Sequence, residues 1–543
     1  MTNNDQVKTL TGIAIDQKQN KNNEEAKAFA EELAREFLSV ADQFKLGSLP
    51  TESPHPMTTS LSKDAKENLP KAIQTIKDID LGVFKQLQMY LPLLMDLQKD
   101  VAQTLESGGR IFLCGCGATG RLSLALETIW RIKYEGHPKA SLLQDRLVSF
   151  MAGGDVALIH SVEKFEDFPE FGERQLRELH FQEGDLLISC TEGGETPFVI
   201  GATEAALNIS KRAPYFLYCN PDDVLKKTAE RSKRVIENSR IKKINLTVGP
   251  MALTGSTRMQ ATTILMYAAG LCLWYYDQNF KEIEAELSRI INYVEKTDFN
   301  FLAPFIERES LLYEKGQYLF YETDGLLGIS ILTDTTERSP TFSLYPFENQ
   351  LSEHKHPSLS YLLFTKSEDS QSAWNDLLKR APRTFHWKEV TDQTSQERLI
   401  GFDFSRQLME LRPRYLQASH AHFKIELNEE TNTLHFELDG LVRALNLDGL
   451  NFLSAHLVLK ILLNNLSTVI MGRMGRYESN LMTWVRASNN KLVDRACRYV
   501  DTLLKQKGIV VSYEELVREC FRIKDQIPRD QSLVLTMVKE FDR

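Results

Sequence analysis

Two glycine-rich segments carry residues suited to binding an anion. One spans residues 115–121 and the other spans residues 191–197, and each lies between an apolar run typical of a buried strand and a helical pattern. The carboxyl ends of parallel strands meet at one edge of a sheet. The two segments would therefore place two helix N-termini, with their free backbone N–H groups, around one crevice. The sequence predicts an anion site there, most naturally for a phosphate.

The first segment has the Gly-x-Gly-x-x-Gly spacing of dinucleotide-binding loops, beginning at Gly115. The acidic residue near the expected offset, Glu135, falls in a polar helix-to-loop segment, and a long, mostly helical stretch precedes the first strand. We therefore favour a monophosphate loop in which Gly117, Ala118 and Thr119 contact the ligand, with Thr119 donating its hydroxyl. A dinucleotide site and a purely structural turn stay open.

The second segment supplies a partner loop, with Thr191, Gly193 and Thr196 as candidate ligand contacts. Thr196 is also well placed to cap the following helix, which is the ordinary structural role of a threonine there. Glu195, a further candidate contact, and Glu192 are unusual in such a loop. Carboxylates near a phosphate lower its affinity unless they point outward or bind sugar hydroxyls.

A third segment, Gly255-Ser256-Thr257, precedes a strongly apolar helical pattern and predicts a turn with a helix cap. Arg258 follows in the first turn of that helix, where its charge opposes the helix dipole. This position favours an ion pair or a ligand contact for Arg258, and a solvated arginine stays an open alternative.

Alternating strand and helix patterns surround these segments and predict βαβ units with a parallel sheet. Strand candidates in a first block are residues 111–114, 147–151, 186–190, 215–219 and 244–248. A second block starts near Gly316, with strand candidates at residues 318–321, 361–365 and 399–403 and a further apolar run at 329–333. Helical patterns then continue to the C-terminus. One hypothesis is that the two blocks are diverged copies of one domain, which would make the chain a covalent pseudo-dimer.

Composition and charge limit the classes of partner. The chain has 543 residues, enough for two or three domains, and a net charge of −9 that argues against nucleic acid. Seven cysteines without paired spacing indicate a reducing compartment. The polar N-terminus lacks an apolar leader. The longest apolar stretch, residues 262–276, is too short to span a membrane and predicts a core helix. We expect a soluble, cytoplasmic protein.

Metal and cofactor chemistry finds little support in the residue pattern. His354 with His356, and His420 with His422, would each present two imidazoles on one face of a strand, but no acidic or cysteine partners stand at supporting spacing. Nucleophile-elbow, zincin and Walker motifs are absent from the sequence. The sequence predicts no metal and no cofactor.

Together, six segments resemble the SIS (sugar isomerase) domain. More narrowly, they resemble the branch that holds N-acetylmuramic acid 6-phosphate etherases and glucokinase regulatory proteins. In chain order the segments are Thr51-Glu-Ser-Pro-His-Pro-Met-Thr58, Gly115-Cys-Gly-Ala-Thr-Gly-Arg121, Ala152-Gly-Gly-Asp155 with Val162-Glu-Lys-Phe-Glu-Asp167, Thr196-Pro-Phe-Val199, Gly255-Ser-Thr-Arg-Met259 and Ala487-Ser-Asn-Asn-Lys-Leu492. Their order and spacing cover most of the chain.

The resemblance implies an α/β fold of two SIS-type domains, with flavodoxin-like parallel sheets flanked by helices and a helical C-terminal region. The etherases are single-SIS chains that pair as homodimers, whereas the two-block layout is similar to that of glucokinase regulatory proteins. We place an N-terminal helical or disordered segment at residues 1–50, the first SIS domain at 51–295, the second at 296–475 and the C-terminal helical region at 476–543. One sugar-phosphate site would lie in the first domain, closed by later parts of the chain.

The resemblance also assigns three charged residues and a serine to this site. Family etherases use a glutamate in a Glu-Asp pair after the Ala-Gly-Gly strand, which is Glu166 here. Their second glutamate follows the first glycine loop. The first block has Ile129 in that register, and the second block offers Glu337 instead. Packed like the etherase dimer, the blocks would bring Glu337 across to Glu166. Lys491 matches a lysine that closes over the ligand, and Ser256 falls in the Gly-Ser-Thr-Arg motif.

Each assignment has a plainer structural alternative. Glu166 could belong to a solvated helix face, Glu337 could form a surface ion pair with Arg338, and Lys491 could be an ordinary surface lysine. The chain also departs from the family, which usually has Thr-Ser at the positions of Ala118-Thr119 and small or basic residues at the positions of the two loop glutamates. These departures put the choice of ligand in doubt.

Two functions fit the resemblance. The first is a regulatory protein that binds a phosphorylated hexose or amino sugar and passes its bound state to a partner such as a sugar kinase. The alternative is an N-acetylmuramic acid 6-phosphate etherase, a carbon–oxygen lyase in which Glu166 would be the base and Glu337 the acid. Whether the protein is an enzyme stays open, because one carboxylate pair serves hydroxyl binding as well as proton transfer. Neither function calls for nucleic acid or a membrane.

Overall fold

Five parallel strands form the first sheet, in the order β2-β1-β3-β4-β5. The computed structural model describes residues 23–44, 46–162, 165–390 and 392–543. The strands are β1 (Ile111–Gly115), β2 (Leu147–Met151), β3 (Leu186–Cys190), β4 (Tyr215–Tyr218) and β5 (Lys242–Asn245). All but β5 are buried along their whole length, as expected for a parallel sheet covered on both faces. The strand order is that of flavodoxin-like sheets, which confirms the predicted fold class.

Helices cover this sheet and extend from it. They are α1 (Asn23–Val40), α2 (Leu61–Glu67), α3 (Leu69–Glu106), α4 (Ala118–Lys133), α5 (Ala140–Leu143), α6 (Pro169–Glu178), α7 (Pro197–Ile209), α8 (Asp222–Thr228), α9 (Glu230–Glu237), α10 (Gln260–Trp274), α11 (Phe280–Lys296) and α12 (Ala303–Glu314). The long helix α3 packs against α10 and α11. Helix α10 is buried along nearly its whole length, so the core helix predicted from its apolar run is confirmed.

The second sheet is mixed, with strand order β10-β9-β8-β6-β7. Strand β6 (Tyr318–Thr323) pairs in parallel with β7 (Ser360–Phe364) and β8 (His420–Asn428), while β8, β9 (Thr433–Leu438) and β10 (Leu441–Asn446) run antiparallel. The predicted parallel pairing is present at β6, β7 and β8, and the antiparallel edge formed with β9 and β10 was not predicted. An Asp439-Gly440 turn, in which both residues have positive φ, closes the β9–β10 hairpin.

The remaining helices complete the second half and the C-terminal region. They are α13 (Gly328–Phe342), α14 (Ser370–Leu378), α15 (Gln396–Ile400), α16 (Leu408–Leu416), α17 (Phe452–Arg473), α18 (Asn490–Gln506), α19 (Tyr513–Ile523) and α20 (Leu533–Phe541). One strand expectation fails here, because residues 399–403 begin in α15. The apolar run at residues 329–333 lies within α13. The two sheets lie within residues 51–295 and 296–475, and the domain boundaries themselves stay a prediction. Of the predicted N-terminal segment, residues 1–22 lie outside the described residues.

Helix α17 is the most apolar long element. Among the described residues it is the one helix long and apolar enough to cross a membrane by length and composition, and 94% of its apolar window is buried inside the protein. It packs against α2, α3, α12 and α13, as a core helix does.

Helix α13 joins the two halves by packing against both α4 and α17. At this contact Arg258, which is 3% exposed, donates to Asp334 at 2.9 Å and to the Thr468 hydroxyl at 2.6 Å. The ion-pair alternative for Arg258 is thereby confirmed, and the solvated arginine is wrong. Arg338 is buried and pairs with Asp334 and Glu309, so a surface pair with its chain neighbour is also wrong.

Candidate functional site

The two glycine loops follow adjacent strands. In this sheet β2 lies on one side of β1 and β3 lies on the other, so the strand order reverses its direction at β1. Ligands bind at such a switch point, beyond the carboxyl ends of the strands. The first loop follows β1 and the second follows β3. The sequence-predicted convergence of the two loops is present in the fold.

The first glycine loop is a tight turn that braces itself. A Cβ atom at Gly115 would lie 2.3 Å from the carbonyl carbon of Thr119, and Gly117 has a φ of +53° at the N-cap of α4. The Thr119 hydroxyl accepts from the Cys116 N–H at 3.0 Å and donates to the Cys116 carbonyl at 2.9 Å. Ala118 is the first residue of α4. Thr119 therefore shapes the loop, and its contact with a ligand stays a prediction.

The second loop is held by an internal hydroxyl pair. The Thr191 and Thr196 hydroxyl oxygens lie 3.1 Å apart, and Thr196 makes no side-chain cap at the start of α7. Thr196 therefore stands at the predicted N-cap position of α7, but its hydroxyl pairs with Thr191 instead of capping the helix. Gly193 precedes Gly194, whose φ is +72° and whose Cα approaches Leu225 closely enough that a Cβ would lie 2.7 Å from that side chain.

The two loop glutamates point inward and not to solvent, each with 3% of its surface exposed. The Glu195 carboxylate accepts from Arg231 at 2.7 Å and from Lys491 at 3.3 Å. Glu192 accepts from the Thr257 hydroxyl at 3.0 Å and lies 3.9 Å from Lys491. Lys491 is therefore neither isolated nor on the open surface, because it reaches the second loop from the first turn of α18.

Charge pairing outweighs burial at this cluster. Burial opposes ionisation of Glu195, but the charges of Lys491 and Arg231 hold the pKa of its carboxyl below the ordinary value. Burial likewise disfavours the Lys491 ammonium, but the carboxylates of Glu195, Glu192 and Glu52 raise the pKa of Lys491 above its usual range. Lys491 and Glu195 are thus charged at neutral pH.

The third segment lies against the second loop and the C-terminal region. Beside Ser256, Thr257 binds Glu192, and a Cβ at Gly255 would lie 2.8 Å from the Arg495 guanidinium on α18. The Ser256 hydroxyl is buried and has no hydrogen-bond partner within the described part of the chain. Helix α10 begins only at Gln260, so the predicted cap at this turn is displaced along the chain.

Glu166 sits at the first loop and not on a solvated face. Its Oε2 accepts from the Cys116 thiol at 2.9 Å, and its Oε1 accepts from the Asn489 amide at 2.8 Å. Burial, assisted by the Glu166 carboxylate, raises the pKa of the Cys116 thiol well above its ordinary value. Asn489 also caps α18 by accepting from the Leu492 N–H at 2.9 Å, which fixes its side chain. Sequence reasoning missed Asn489, although it stands two residues before Lys491 in the same motif.

A strap from the second half, residues 380–390, holds the segment that carries Glu166. The Trp387 ring stacks on Phe165, with centroids 5.5 Å apart and 18° between the planes. Arg380 donates to Asp155 at 2.6 Å, and Arg383 donates to Glu127 at 2.8 Å. The strap therefore places second-half side chains directly over the chain that leads to Glu166.

Glu337 reaches the first loop from another side. Its carboxylate accepts from Arg121, in the first turn of α4, at 2.5 Å. A narrow cavity of about 30 Å³ beside this pair is lined by Ala118, Arg121, Glu337, Arg258 and Lys460, among others. Glu166 contacts the loop at Cys116 and Glu337 contacts it at Arg121, so the two carboxylates flank the start of α4 without a bond to each other in the described structure. Glu337 thus contacts the first half of the chain, and its sharing of one site with Glu166 stays a prediction.

Part of the first sheet matches a known protein family. Residues 94–207, from within α3 to α7, match the family model described as glucokinase regulatory protein N-terminal SIS domain. This segment, which includes β1, β2 and β3, is therefore similar to a SIS domain. Curated N-acetylmuramic acid 6-phosphate etherases also match the chain. The resemblance to both etherases and regulatory proteins, stated from the sequence motifs, is therefore confirmed.

Two of these relatives define the extent of the match. The enzyme from Bacillus pumilus is 32% identical over 220 residues, which is 40% of this chain and 65% of the relative. The enzyme from Salmonella agona is 33% identical over 218 residues, or 40% of this chain and 66% of the relative. The chain thus spans just under two thirds of the length of these relatives.

Two solved structures align with much of the chain at low identity and low TM-score. A putative phosphosugar isomerase from Silicibacter pomeroyi aligns at 11% identity and a TM-score of 0.40, covering 75% of this chain and 98% of the other. The C-terminal domain of glucosamine-fructose-6-phosphate aminotransferase from Francisella tularensis aligns at 11% identity and a TM-score of 0.37, covering 75% and 96%.

Proposed function

We propose that the protein binds a phosphorylated hexose or amino sugar at the carboxyl ends of β1 and β3. The observation that carries this proposal is the position of Glu166 at the first glycine loop, where Asn489 binds its carboxylate. Two residues on, Lys491 reaches the second loop. A hydroxyl acceptor, an amide donor and a cation thus meet at one crevice with two helix N-termini. The curated relatives are named for a sugar 6-phosphate, which supports the same ligand class.

Each group at the crevice has a defined task in this proposal. Free N–H groups at the starts of α4 and α7 bind the phosphate oxygens, since helix N-termini favour an anion. Glu166 and Glu337 accept hydrogen bonds from sugar hydroxyls, and Asn489 orients Glu166. Lys491 adds positive charge from α18, which links ligand binding to the C-terminal region.

We further propose a regulatory role in place of catalysis. The Glu337 carboxylate is an acceptor paired with Arg121, as hydroxyl binding requires, whereas a general acid must donate a proton. The two-sheet layout and the match to a regulatory-protein SIS domain support the same choice. In this role the C-terminal helices carry the ligand-bound state to a partner such as a sugar kinase.

Isothermal titration calorimetry tests the binding proposal. Fructose 6-phosphate, fructose 1-phosphate and glucosamine 6-phosphate are titrated into the wild-type protein, Glu166→Ala and Glu170→Ala, a charge-matched change on α6. We expect saturable binding of at least one ligand at or below millimolar concentrations, kept in Glu170→Ala and lost in Glu166→Ala. No heat from any ligand with folded wild-type protein would overturn the proposal.

The lyase is the second candidate, because the matched curated relatives are named etherases and Glu166 and Glu337 are both at the loop. Lactate release from N-acetylmuramic acid 6-phosphate tests it with a coupled assay. Release that disappears in Glu166→Ala and persists in Glu170→Ala would establish the lyase and displace the regulatory role. If the protein binds sugar phosphates but releases no lactate, the binding function stands and the lyase is excluded.

A further inference from the structure

The cation at the crevice already has an anionic partner. Lys491 is the residue that would close over a ligand, yet its ammonium lies 3.3 Å from the Glu195 carboxylate and 3.9 Å from that of Glu192. Both glutamates belong to the second glycine loop, and each is 3% exposed. An ion pair between the partly exposed Lys491 and the buried carboxylates therefore occupies the place where a phosphate would gain its strongest charge contact.

The Glu195 carboxylate is held firmly in this position. Its other oxygen accepts from Arg231 at 2.7 Å, and the Arg231 guanidinium also binds the Glu195 carbonyl. Helix α9, which carries Arg231, thus fixes the glutamate toward Lys491. Because the Glu195 carboxylate is shielded from solvent, its negative charge would repel an anionic group that binds beside Lys491.

A second observation is unfilled hydrogen-bonding capacity beside the second glycine loop. The Glu192 Oε1 atom and the Ser256 hydroxyl are both buried without a partner in the described structure, and the two residues are adjacent because Thr257 binds Glu192. Buried polar atoms are normally satisfied, so unpaired ones at a crevice indicate that a ligand or water completes them.

Resting on the proposed sugar-phosphate site, we propose that Glu195 is an internal anion that competes with the ligand phosphate for Lys491 and so sets the affinity and selectivity of the site. Bringing a phosphate dianion to Lys491 places like charges at short range in a region of low dielectric, which weakens its binding. With the Glu195 carboxylate in place, the second glycine loop therefore binds a dianionic phosphate more weakly than it would without that carboxylate. Removing the charge at position 195 frees Lys491 for the phosphate.

Calorimetry with fructose 6-phosphate, inorganic phosphate and unphosphorylated fructose tests this competition. The proteins are wild type, Glu195→Gln, Glu195→Ser and Glu204→Gln. Glu204 is a matched control because it lies on α7 and pairs with Arg234 of α9, as Glu195 pairs with Arg231 of the same helix. We expect affinity for fructose 6-phosphate and phosphate to rise about tenfold or more in both Glu195 variants and to stay unchanged in Glu204→Gln. Affinity for fructose should not rise.

A double-mutant cycle assigns the gain to the lysine. Adding Lys491→Met to Glu195→Gln should abolish the tenfold gain, whereas Lys491→Met alone should cost less, because the lysine is already neutralised in the wild type. An equal cost in both backgrounds would overturn the proposal, as would an equal gain for unphosphorylated fructose. Thermal melts check that each variant is folded, and Glu195→Ser replaces Glu195→Gln if the latter is not.

The outcomes separate this inference from the function on which it rests. If the wild-type protein binds the sugar phosphate and Glu195→Gln binds it no more tightly, the competition proposed for Glu195 is overturned. The sugar-phosphate function then still stands. Binding by Glu195→Gln alone supports the inference and removes the wild-type function. Binding by neither protein overturns both.

Discussion

Arg121 at the start of α4 and Glu337 on α13 form an ion pair that joins the two halves of the protein, with Nη1 2.5 Å from Oε1. Only 5% and 12% of the two side chains is exposed. Arg121 also donates to the carbonyls of Ala157 and Leu158, so one guanidinium ties α4, the chain after β2 and α13 together. Any sugar hydroxyl bound by Glu337 is therefore coupled to the contact between the halves.

Breaking this pair should destabilise the protein. We expect Arg121→Met to lower the free energy of unfolding by about 3 kcal/mol, because it leaves the Glu337 carboxylate and two carbonyls without their donor in a buried setting. Urea denaturation of Arg121→Met, Glu337→Gln and the double variant measures the coupling. The double variant should lose less than the sum of the single losses, and strict additivity would show that the pair contributes nothing.

The two glycines of the first loop should respond differently to alanine. Gly117→Ala puts a Cβ into open space but keeps a backbone with φ +53° and ψ −124°, which L residues rarely adopt, so we expect a loss of about 1–3 kcal/mol. Gly115→Ala drives a Cβ into the Thr119 backbone and should cost clearly more. Chemical denaturation of both variants checks the order, and an equal or reversed order would contradict the tight-turn geometry.

The strap should control ligand binding through Glu166. Trp387→Ala removes a ring that is 2% exposed and stacked on Phe165, and we expect a loss of about 3–5 kcal/mol in stability. Because Glu166 follows Phe165, sugar-phosphate affinity should fall as well. Trp387→Phe should restore most of the affinity by keeping an aromatic ring over Phe165. Unchanged affinity in folded Trp387→Ala would show that the strap does not position Glu166.

Acid should destabilise the second half through His456. This residue is fully buried on α17 and bonds to the Ser330 hydroxyl at 2.7 Å, and burial lowers the pKa of its imidazole to about 3. In the unfolded chain the imidazole binds a proton near its ordinary pKa, so the unfolded state gains protons first as the pH falls. Stability should therefore drop as the pH falls below about 6.5, by about 2 kcal/mol at pH 5 from this residue.

Comparison of His456→Gln with the wild type at pH 7 and pH 5 isolates this effect. The variant should lose less free energy of unfolding between the two pH values than the wild type does. His137→Gln, at an exposed histidine, should behave like the wild type. Identical pH dependence in all three proteins would contradict the burial argument.

The first sheet could be predicted because its strands are apolar runs separated by glycine turns. Residues 147–151 and 186–190 coincide with β2 and β3, and the other three strands differ at their ends. In the second half, the apolar residues at 329–333 also fit a helix face, and periodicity cannot separate the two structures in so short a run. The β9–β10 hairpin was missed although residues 433–438 alternate and an Asp-Gly turn follows.

The candidate site was also only partly predictable from the sequence. The glycine loops and the candidate residues Glu166, Glu337 and Lys491 could be identified from motifs that resemble those of etherases and regulatory proteins, and their roles at a ligand stay predictions. The partners of those residues did not, because Asn489, Arg231 and the strap come from distant parts of the chain that meet only in the folded state. The inward direction of Glu195 likewise depends on a helix that no local pattern connects to it.

In the proposed function, two glycine loops, completed by residues from the second half and the C-terminal region, hold one sugar phosphate. A crystal structure of the wild-type protein soaked with fructose 6-phosphate would locate this ligand. We expect the phosphate at the carboxyl ends of β1 and β3, with sugar hydroxyls on Glu166. Sugar phosphate bound elsewhere on the protein, with only water at the two loops, would overturn the proposed function.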